Sequence, residues 1–314
     1  MLNLKKSKIL LTGGHGFLGE RVYGELIKAG AKPKNISRPR SANLDLRIAA
    51  NADKAVKNKD LVIHLAASVG GIGYNQKHPG QLFYDNAIMG INLIEAARRA
   101  KVKKFVQVGT VCAYPKVPPH IPFLEDDLWK GYPEETNAPY GLAKLMLLEM
   151  LRAYRREYRF NGIYLLPVNL YGPNDNFNPA SSHVIPALIK KFAEAVNQKK
   201  SKVTVWGTGK ASREFLYVDD AARGIVLAAI KYNKPEPVNL GSSYEIKIKD
   251  LVKLIARLSN YRGAIIWDNT KPDGQPRRKL NISRAKKEFG FKSDVDFRTG
   301  LKTTVEWYKK NRHN

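Results

Sequence analysis

Three residue types in this sequence could do chemistry together. Tyr140 and Lys144 stand four positions apart in PYGLAK (139–144), and the chain's one cysteine, Cys112, lies shortly before them in GTVCAYP (109–115). On a helix, positions i and i+4 share a face one turn apart. An ammonium beside a phenol is expected to lower the phenol's pKa from about 10, so that it can exchange a proton near neutral pH. A single cysteine excludes an intramolecular disulfide and a multi-cysteine zinc site, so no metal is expected.

These residues need a scaffold, and the preceding hundred residues spell one out. KILLT (8–12) reads as a short strand, GGHGFLG as a glycine turn, and ERVYGELIKAG as a helix, with Phe17, Leu18, Val22, Leu26 and Ile27 at helical spacing. The glycines fall as Gly13-x-x-Gly16-x-x-Gly19. Gly13 suits a tight turn, Gly16 lets a pyrophosphate approach the backbone, and Gly19 lets helix and strand pack closely. The N–H groups of the turn and helix start, Gly13, Gly14, His15, Gly16, Phe17, Leu18 and Gly19, are therefore expected to hold a dinucleotide's phosphates.

The next short strand, about Asn35–Ser37, runs into ISRPRS. An acid there would hold the ribose hydroxyls of NAD, whereas Arg38 and Arg40 suit a 2′-phosphate, so NADP is expected over NAD. Asp45 could line the adenine pocket. DLVIHL (60–65) reads as a buried parallel strand, followed by small residues from Ala66 and Ala67 onward that let a cofactor lie against the backbone. An amphipathic helix over Asn86–Lys101 and a strand over Lys104–Val108 complete three strand–helix units. Thr110, Val111 and Cys112 then fall just past the carboxyl end of a central strand, where ligands bind in open α/β sheets.

The fold expected is thus α/β, a Rossmann-type doubly wound parallel sheet. A long Pro- and acid-rich loop, 114–139, precedes a helix over Pro139–Tyr158, and a strand over Gly162–Pro167 closes the first domain, 1–167. Short mixed elements from 168 to 314, with a helix starting near His183 and a basic tail, are expected to form a smaller mixed α/β substrate-binding part, with some segments returning to the first domain.

Composition adds a constraint. The 314 residues carry 54 Lys+Arg against 28 Asp+Glu, a formal net charge of +26, but the basic residues are scattered rather than forming one tract. That pattern favours a solvated cationic surface with a phosphate-bearing ligand over nucleic-acid binding. The apolar run near the N-terminus is too short for a signal peptide, and no run approaches the roughly 20 residues of a membrane span, so a soluble, cytoplasmic protein is expected.

TGGHGFLG, GTVCAYP and Tyr-x-x-x-Lys together resemble the extended short-chain dehydrogenase/reductase superfamily over almost the whole chain. Within it, VGGIG (69–73), NLYGPNDNF (169–177), SHVIPAL (182–188), VWGTGKASREFLYVDD (205–220) and DGQPRRKL (273–280) resemble the GDP-L-fucose synthase family. The resemblance implies an NADP(H)-dependent epimerase–reductase that acts on a GDP-4-keto-6-deoxy sugar. It assigns proton transfer at C3 and C5 to Cys112 and His183, leaving open which is base at each carbon. Tyr140 would protonate the C4 oxygen, with Lys144 lowering its pKa and holding the nicotinamide ribose. Thr110 stands where serine is common and keeps the hydroxyl.

Further cofactor contacts implied are Leu65, Ala66, Ala67, Asn169 and His183, and substrate contacts Lys191, Trp206, Arg213 and Arg278. Lys191 replaces a common arginine, keeping charge but not a bidentate grip. Relatives pair as homodimers, and helices Asn86–Lys101 and Pro139–Tyr158 would carry the interface. A related GDP-sugar enzyme, such as a GDP-L-colitose synthase, is the neighbouring alternative; a non-catalytic basic nucleic-acid-binding protein is the remote one.

Overall fold

Near-continuous apolar runs build a sheet that is buried on both faces. The computed structural model describes residues 2–271 and 273–311, so the end of the basic tail lies outside the described residues. Strands β1 (Ile9–Thr12), β2 (Ile36–Ser37), β3 (Leu61–His64), β4 (Lys104–Val108), β5 (Gly162–Pro167) and β9 (Val238–Leu240) form one six-stranded sheet in the order β2-β1-β3-β4-β5-β9. Every pairing in it is parallel, with Thr12 beside His64 and His64 beside Gln107. Residues of β1, β3, β4 and β5 are all buried, as a parallel sheet covered by helices on both sides requires.

Helices α1 (Phe17–Lys28) and α7 (Val218–Lys231) pack together, and α2 (Ala49–Val56), α4 (Pro79–Arg99) and α5 (Ala138–Tyr158) form another packed group. The α/β, doubly wound expectation therefore holds. Helix α4 begins seven residues before the expected start, because Pro79 occupies the first turn, where its missing N–H needs no partner. Helices α2 and α3 (Ile72–Lys77) were not anticipated.

The remaining segments build a second, four-stranded sheet and a separate two-stranded one. Strand β8 (Ser212–Tyr217) pairs with β6 (Asn169–Tyr171), β10 (Glu245–Lys247) and β12 (Arg277–Arg278), while β7 (Lys202–Trp206) pairs with β11 (Ala264–Asp268). Helices α6 (Val184–Asn197), α8 (Ile248–Leu258) and α10 (Phe297–Asn311) pack beside them around Phe192, Ile255 and Phe297. Helix α9 (Ser283–Phe289) instead joins the first core, packing on α7 and β9. Much of the basic tail is thus ordered: Phe297, Leu301 and Val305, four apart, bury one face of α10, and Arg298 and Lys302 between them hid that period.

One buried cation ties a returning segment to the sheet. Lys104, at the start of β4, is 3% exposed and donates to the carbonyls of Ala228 and Tyr232 and to Asn233 Oδ1 at 2.9 Å. It caps the C-terminal end of α7, where unsatisfied carbonyls and the helix dipole favour a cation. Lys104→Met keeps the aliphatic stem but strands those acceptors, so it should destabilise the fold by about 2–3 kcal/mol. Thermal unfolding of the two proteins checks this; an unchanged midpoint would show that the cap contributes nothing.

Candidate active site

A cleft of about 780 Å³ runs along the carboxyl ends of β1, β3, β4 and β5. At one end the β1–α1 turn is shaped for close backbone approach. Gly13 has φ +66°, and a Cβ on it would lie 2.9 Å from the Ala66 N–H nitrogen. Gly13, His15, Gly16, Phe17, Leu18 and Gly19 line the cleft, as do Leu65, Ala66 and Ala67. Gly14 does not: its carbonyl accepts from Arg38 Nη1 at 3.2 Å.

Arg38 is also drawn away from the cleft. Its guanidinium pairs with Glu20 at 2.9 Å and lies 3.7 Å over the Tyr23 ring, so it builds the wall behind the glycine turn. Arg40 does line the cleft and makes no ion pair to a described residue. Asp45 lines it too, but its carboxylate is engaged by Arg47 at 2.7 Å, and that interaction holds it below its ordinary pKa. Arg47 is a cleft cation that sequence reasoning missed; no motif marks it, and it reaches the cleft only because Asp45 and Asp85 hold it there.

The reactive groups converge at the middle of the cleft. Thr110, Cys112, Tyr140, Lys144, Asn169 and His183 all line it. Thr110 caps the short 3-10 turn Val111–Ala113, its Oγ1 accepting from the Cys112 N–H at 3.1 Å, which orients the cysteine. Helix α5 presses its first turn directly onto this segment. A Cβ on Gly141 would overlap the Cys112 carbonyl oxygen and lie 2.9 Å from its carbon, so glycine at 141 is what lets Tyr140 and Cys112 share one space.

The electrostatics depart from expectation at Tyr140. Burial pushes its phenol above the ordinary value, the Cys112 sulfur adds to that, and only the adjacent Thr110 hydroxyl pulls it down. Lys144 does not lower it here. The reason is that the ammonium is itself 2% exposed and pushed down to about 8 by burial. Its Nζ makes no hydrogen bond or ion pair to any described residue, an unusual state for a buried lysine that a ligand hydroxyl would relieve. Together with the bare turn at Gly13, this unpartnered ammonium fits a nucleotide cofactor in the cleft.

His183 is the N-cap residue of α6, and its side chain makes no capping bond. The ring is open to the cleft, yet it lies deep enough that burial, and then the Arg278 guanidinium, hold it below the usual imidazole value. It is therefore neutral at neutral pH. Arg278 reaches across to Cys112, with Nη1 3.7 Å from Sγ and 3.4 Å from Asn169 Oδ1. One guanidinium thus faces both Cys112 and His183.

Of the residues expected to meet the substrate, two come together. Arg278 on β12 and Arg213 on β8 are direct register partners. Neither has a carboxylate partner: Arg213 donates to the carbonyls of Ser212 and Asp273, and burial, then Arg278, push it down to about 9. It stays charged at neutral pH. Two guanidiniums side by side, neither of them ion-paired to an acid, make a site for an anion. None of the four lines the cleft itself: Arg278 borders it through Cys112 and Asn169, whereas Lys191 Nζ donates to the Thr204 carbonyl at 2.8 Å and Trp206 is 57% exposed. No described contact joins them to the arginines. Asn75, Asn137, Asp175 and Ser181 are further cleft residues that sequence reasoning passed over, because they come from loops and a short helix.

The NAD dependent epimerase/dehydratase family model matches residues 9–241. The chain is 38% identical to GDP-L-fucose synthase 1 of Arabidopsis thaliana, over 98% of this chain and 94% of that one. It is 35% identical to GDP-L-colitose synthase of Yersinia pseudotuberculosis, over 98% and 99%. The structure resembles that of an NADP-bound GDP-L-fucose synthetase from Naegleria fowleri, with a TM-score of 0.89 and 30% identity, covering 100% of this chain and 96% of that one. The chain belongs to the NAD dependent epimerase/dehydratase family, and within it to the group that holds the GDP-L-fucose synthases.

Proposed function

We propose that this protein converts GDP-4-keto-6-deoxy-D-mannose to GDP-L-fucose by epimerising C3 and C5 and reducing C4 with NADPH. The observation that carries this is the meeting, in one cleft, of two acid–base devices: Tyr140 beside Thr110, and Cys112 with His183 under a shared guanidinium. The similarity to GDP-L-fucose synthases over nearly the whole chain supports the same reaction.

A ketone at C4 acidifies the protons on C3 and C5, so each carbon needs a base on one face and an acid on the other. A neutral imidazole at His183 can accept a proton, and a thiol at Cys112 can give or take one. Arg278 beside both stabilises a thiolate or an enolate oxygen that forms between them. When bound, NADPH supplies the hydride for C4. Tyr140, held protonated by burial, donates its O–H to the ketone oxygen, and Thr110 orients that oxygen with its own hydroxyl. Lys144 holds the cofactor's ribose through the ammonium that the protein leaves unpaired. Gly13, Gly16 and the start of α1 hold the pyrophosphate, and Arg40 the 2′-phosphate. Arg213 and Arg278 receive the anionic end of the substrate, so the second sheet is read as the substrate part, with Lys191 and Trp206 at its outer edge.

We read the acting unit as a homodimer paired through α4 and α5. Its support is the row of exposed apolar side chains on those helices: Phe83, Tyr84, Met146 and Tyr158. No helix among the described residues is long and apolar enough to cross a membrane. The reaction is placed in the cytoplasm, where a lone cysteine stays a free thiol.

Purified protein mixed with NADPH and GDP-4-keto-6-deoxy-D-mannose should consume NADPH and release GDP-L-fucose. No consumption with this substrate, but turnover with the 3,6-dideoxy analogue, would move the protein to the colitose branch. Cys112→Ser should abolish exchange of the C3 and C5 protons with solvent deuterium while leaving NADPH binding intact. Tyr140→Phe should preserve exchange and slow NADPH oxidation by at least about a hundredfold. Loss of the same step in both variants would refute the division of labour.

The pH profile follows from Lys144. Its folded pKa of about 8 means that the ammonium is present below that pH and lost as pH rises through it. NADPH affinity of the wild type should therefore fall as pH passes 8. Lys144→Met should bind more weakly at pH 7 and lack that limb, which fluorescence titration of NADPH would detect.

A further inference from the structure

The loop between β6 and α6 carries a carboxyl that the proposed reaction leaves unused. Asp175 lies on the border between the main cleft and a second hollow of about 490 Å³ that it shares with Phe177, Lys190 and Trp307. Its position is set firmly. Asn174 before it adopts a left-handed conformation (φ +69°), and Phe177 after it stacks 4.5 Å from the Tyr308 ring. Asp175 Oδ1 accepts the Asn176 N–H at 2.7 Å, while Oδ2 is buried and meets no donor among the described residues. A buried acceptor with nothing to accept is costly as a carboxylate and comfortable as a carboxylic acid.

The surrounding charges do not offset it. On α1, Arg21 bonds the Pro173 carbonyl and is paired with Asp219. On α6, Lys190 lies 3.8 Å from Glu194. From α10 the hollow receives Trp307, Tyr308 and Asn311, none of them a cation. The other titratable groups at the middle of the cleft, Cys112, Tyr140, Lys144 and His183, make no bond to Asp175. Burial alone raises its pKa to about 7, opposed only by the Asn176 N–H.

We propose that Asp175 is a further binding residue of this cleft, one that meets the bound dinucleotide as a neutral carboxylic acid, so that cofactor binding draws a proton from solvent onto it. This rests on the reading that the cleft takes NADPH. Phosphates brought into the cleft disfavour a nearby carboxylate. The protonated form avoids that repulsion and gains an O–H donor at Oδ2, the atom now without a partner. The balance is one proton taken from solvent per carboxylate neutralised, which forms one O–H bond on Asp175; no bond of the cofactor breaks or forms.

The test is calorimetric titration of NADPH into the full-length protein at pH 7.0, in two buffers of different ionisation enthalpy. A carboxyl half-ionised near pH 7 and neutral in the complex takes up about half a proton on binding. Asp175→Asn keeps the acceptor for the Asn176 N–H and supplies a permanent donor, so it should bind NADPH while taking up less by that amount. Between pH 6 and 9 the wild type should lose about tenfold more affinity than the variant, if binding raises the pKa by one unit. Lys144, and the 2′-phosphate of the cofactor, titrate in both proteins and cancel in the comparison. Equal proton uptake by the two proteins would overturn the assignment of Asp175. Failure of the wild type to bind NADPH would instead overturn the reading of the cleft. Asp175→Ser serves the same comparison if the asparagine variant does not fold.

Discussion

The contact between the first turn of α5 and the segment after β4 is the constraint on which the site depends. Helix and turn meet backbone to backbone, because Gly141 presents no side chain to the Cys112 carbonyl. The approach carries Tyr140 and Lys144 to the same strand end that holds Thr110 and Cys112. It is fixed from behind by the Tyr164 hydroxyl, which donates to the Lys144 carbonyl at 2.9 Å and so ties α5 to β5. The phenol, the ammonium, the hydroxyl and the thiol therefore occupy one space because a helix and a sheet share a tight seam.

That seam has an electrostatic consequence. Packing this close takes Tyr140 and Lys144 out of water, and burial then governs both more strongly than they govern each other. The phenol is kept as an acid and the ammonium is left hungry for a partner. The same theme recurs at Arg213 and Arg278, whose guanidiniums bond carbonyls, two side-chain amides and a thiol instead of carboxylates. Cations held without acids are unfavourable in the empty protein and become favourable when an anion arrives. That is how a site stores selectivity for phosphates and developing oxyanions.

The second sheet is held to the first by buried acids that act structurally. Glu214 on β8 accepts the N–H groups of Leu280, Ser242 and Ser243, and Glu125 accepts that of Asn239 in β9. Gln275 donates to the carbonyls of Pro115 and Lys116, and Phe123 pairs with Leu280. The long loop after Cys112 is thus laced to the very segment that carries Arg278. Its length serves to join the thiol to the guanidinium across two sheets.

Local patterns were enough for much of this protein. The glycine spacing, the apolar strands and the Tyr-x-x-x-Lys pair were legible because each depends on residues close in sequence, and the parallel sheet follows from their alternation with helices. The Cys112 and His183 pairing was legible only through family resemblance, since nothing local links the turn after β4 to the residue that starts α6. Tertiary structure alone decided the rest. It turned Arg38 away from the cleft onto Glu20 and Tyr23, brought in Arg47 through Asp45 and Asp85, and ordered the lysine-rich tail into α9 and α10. It also let burial, and not Lys144, govern the Tyr140 phenol. The physical reason is common to all four: spacing tells which side chains can meet, but burial and competing partners, which come from distant segments, set where a charge points and what its pKa becomes.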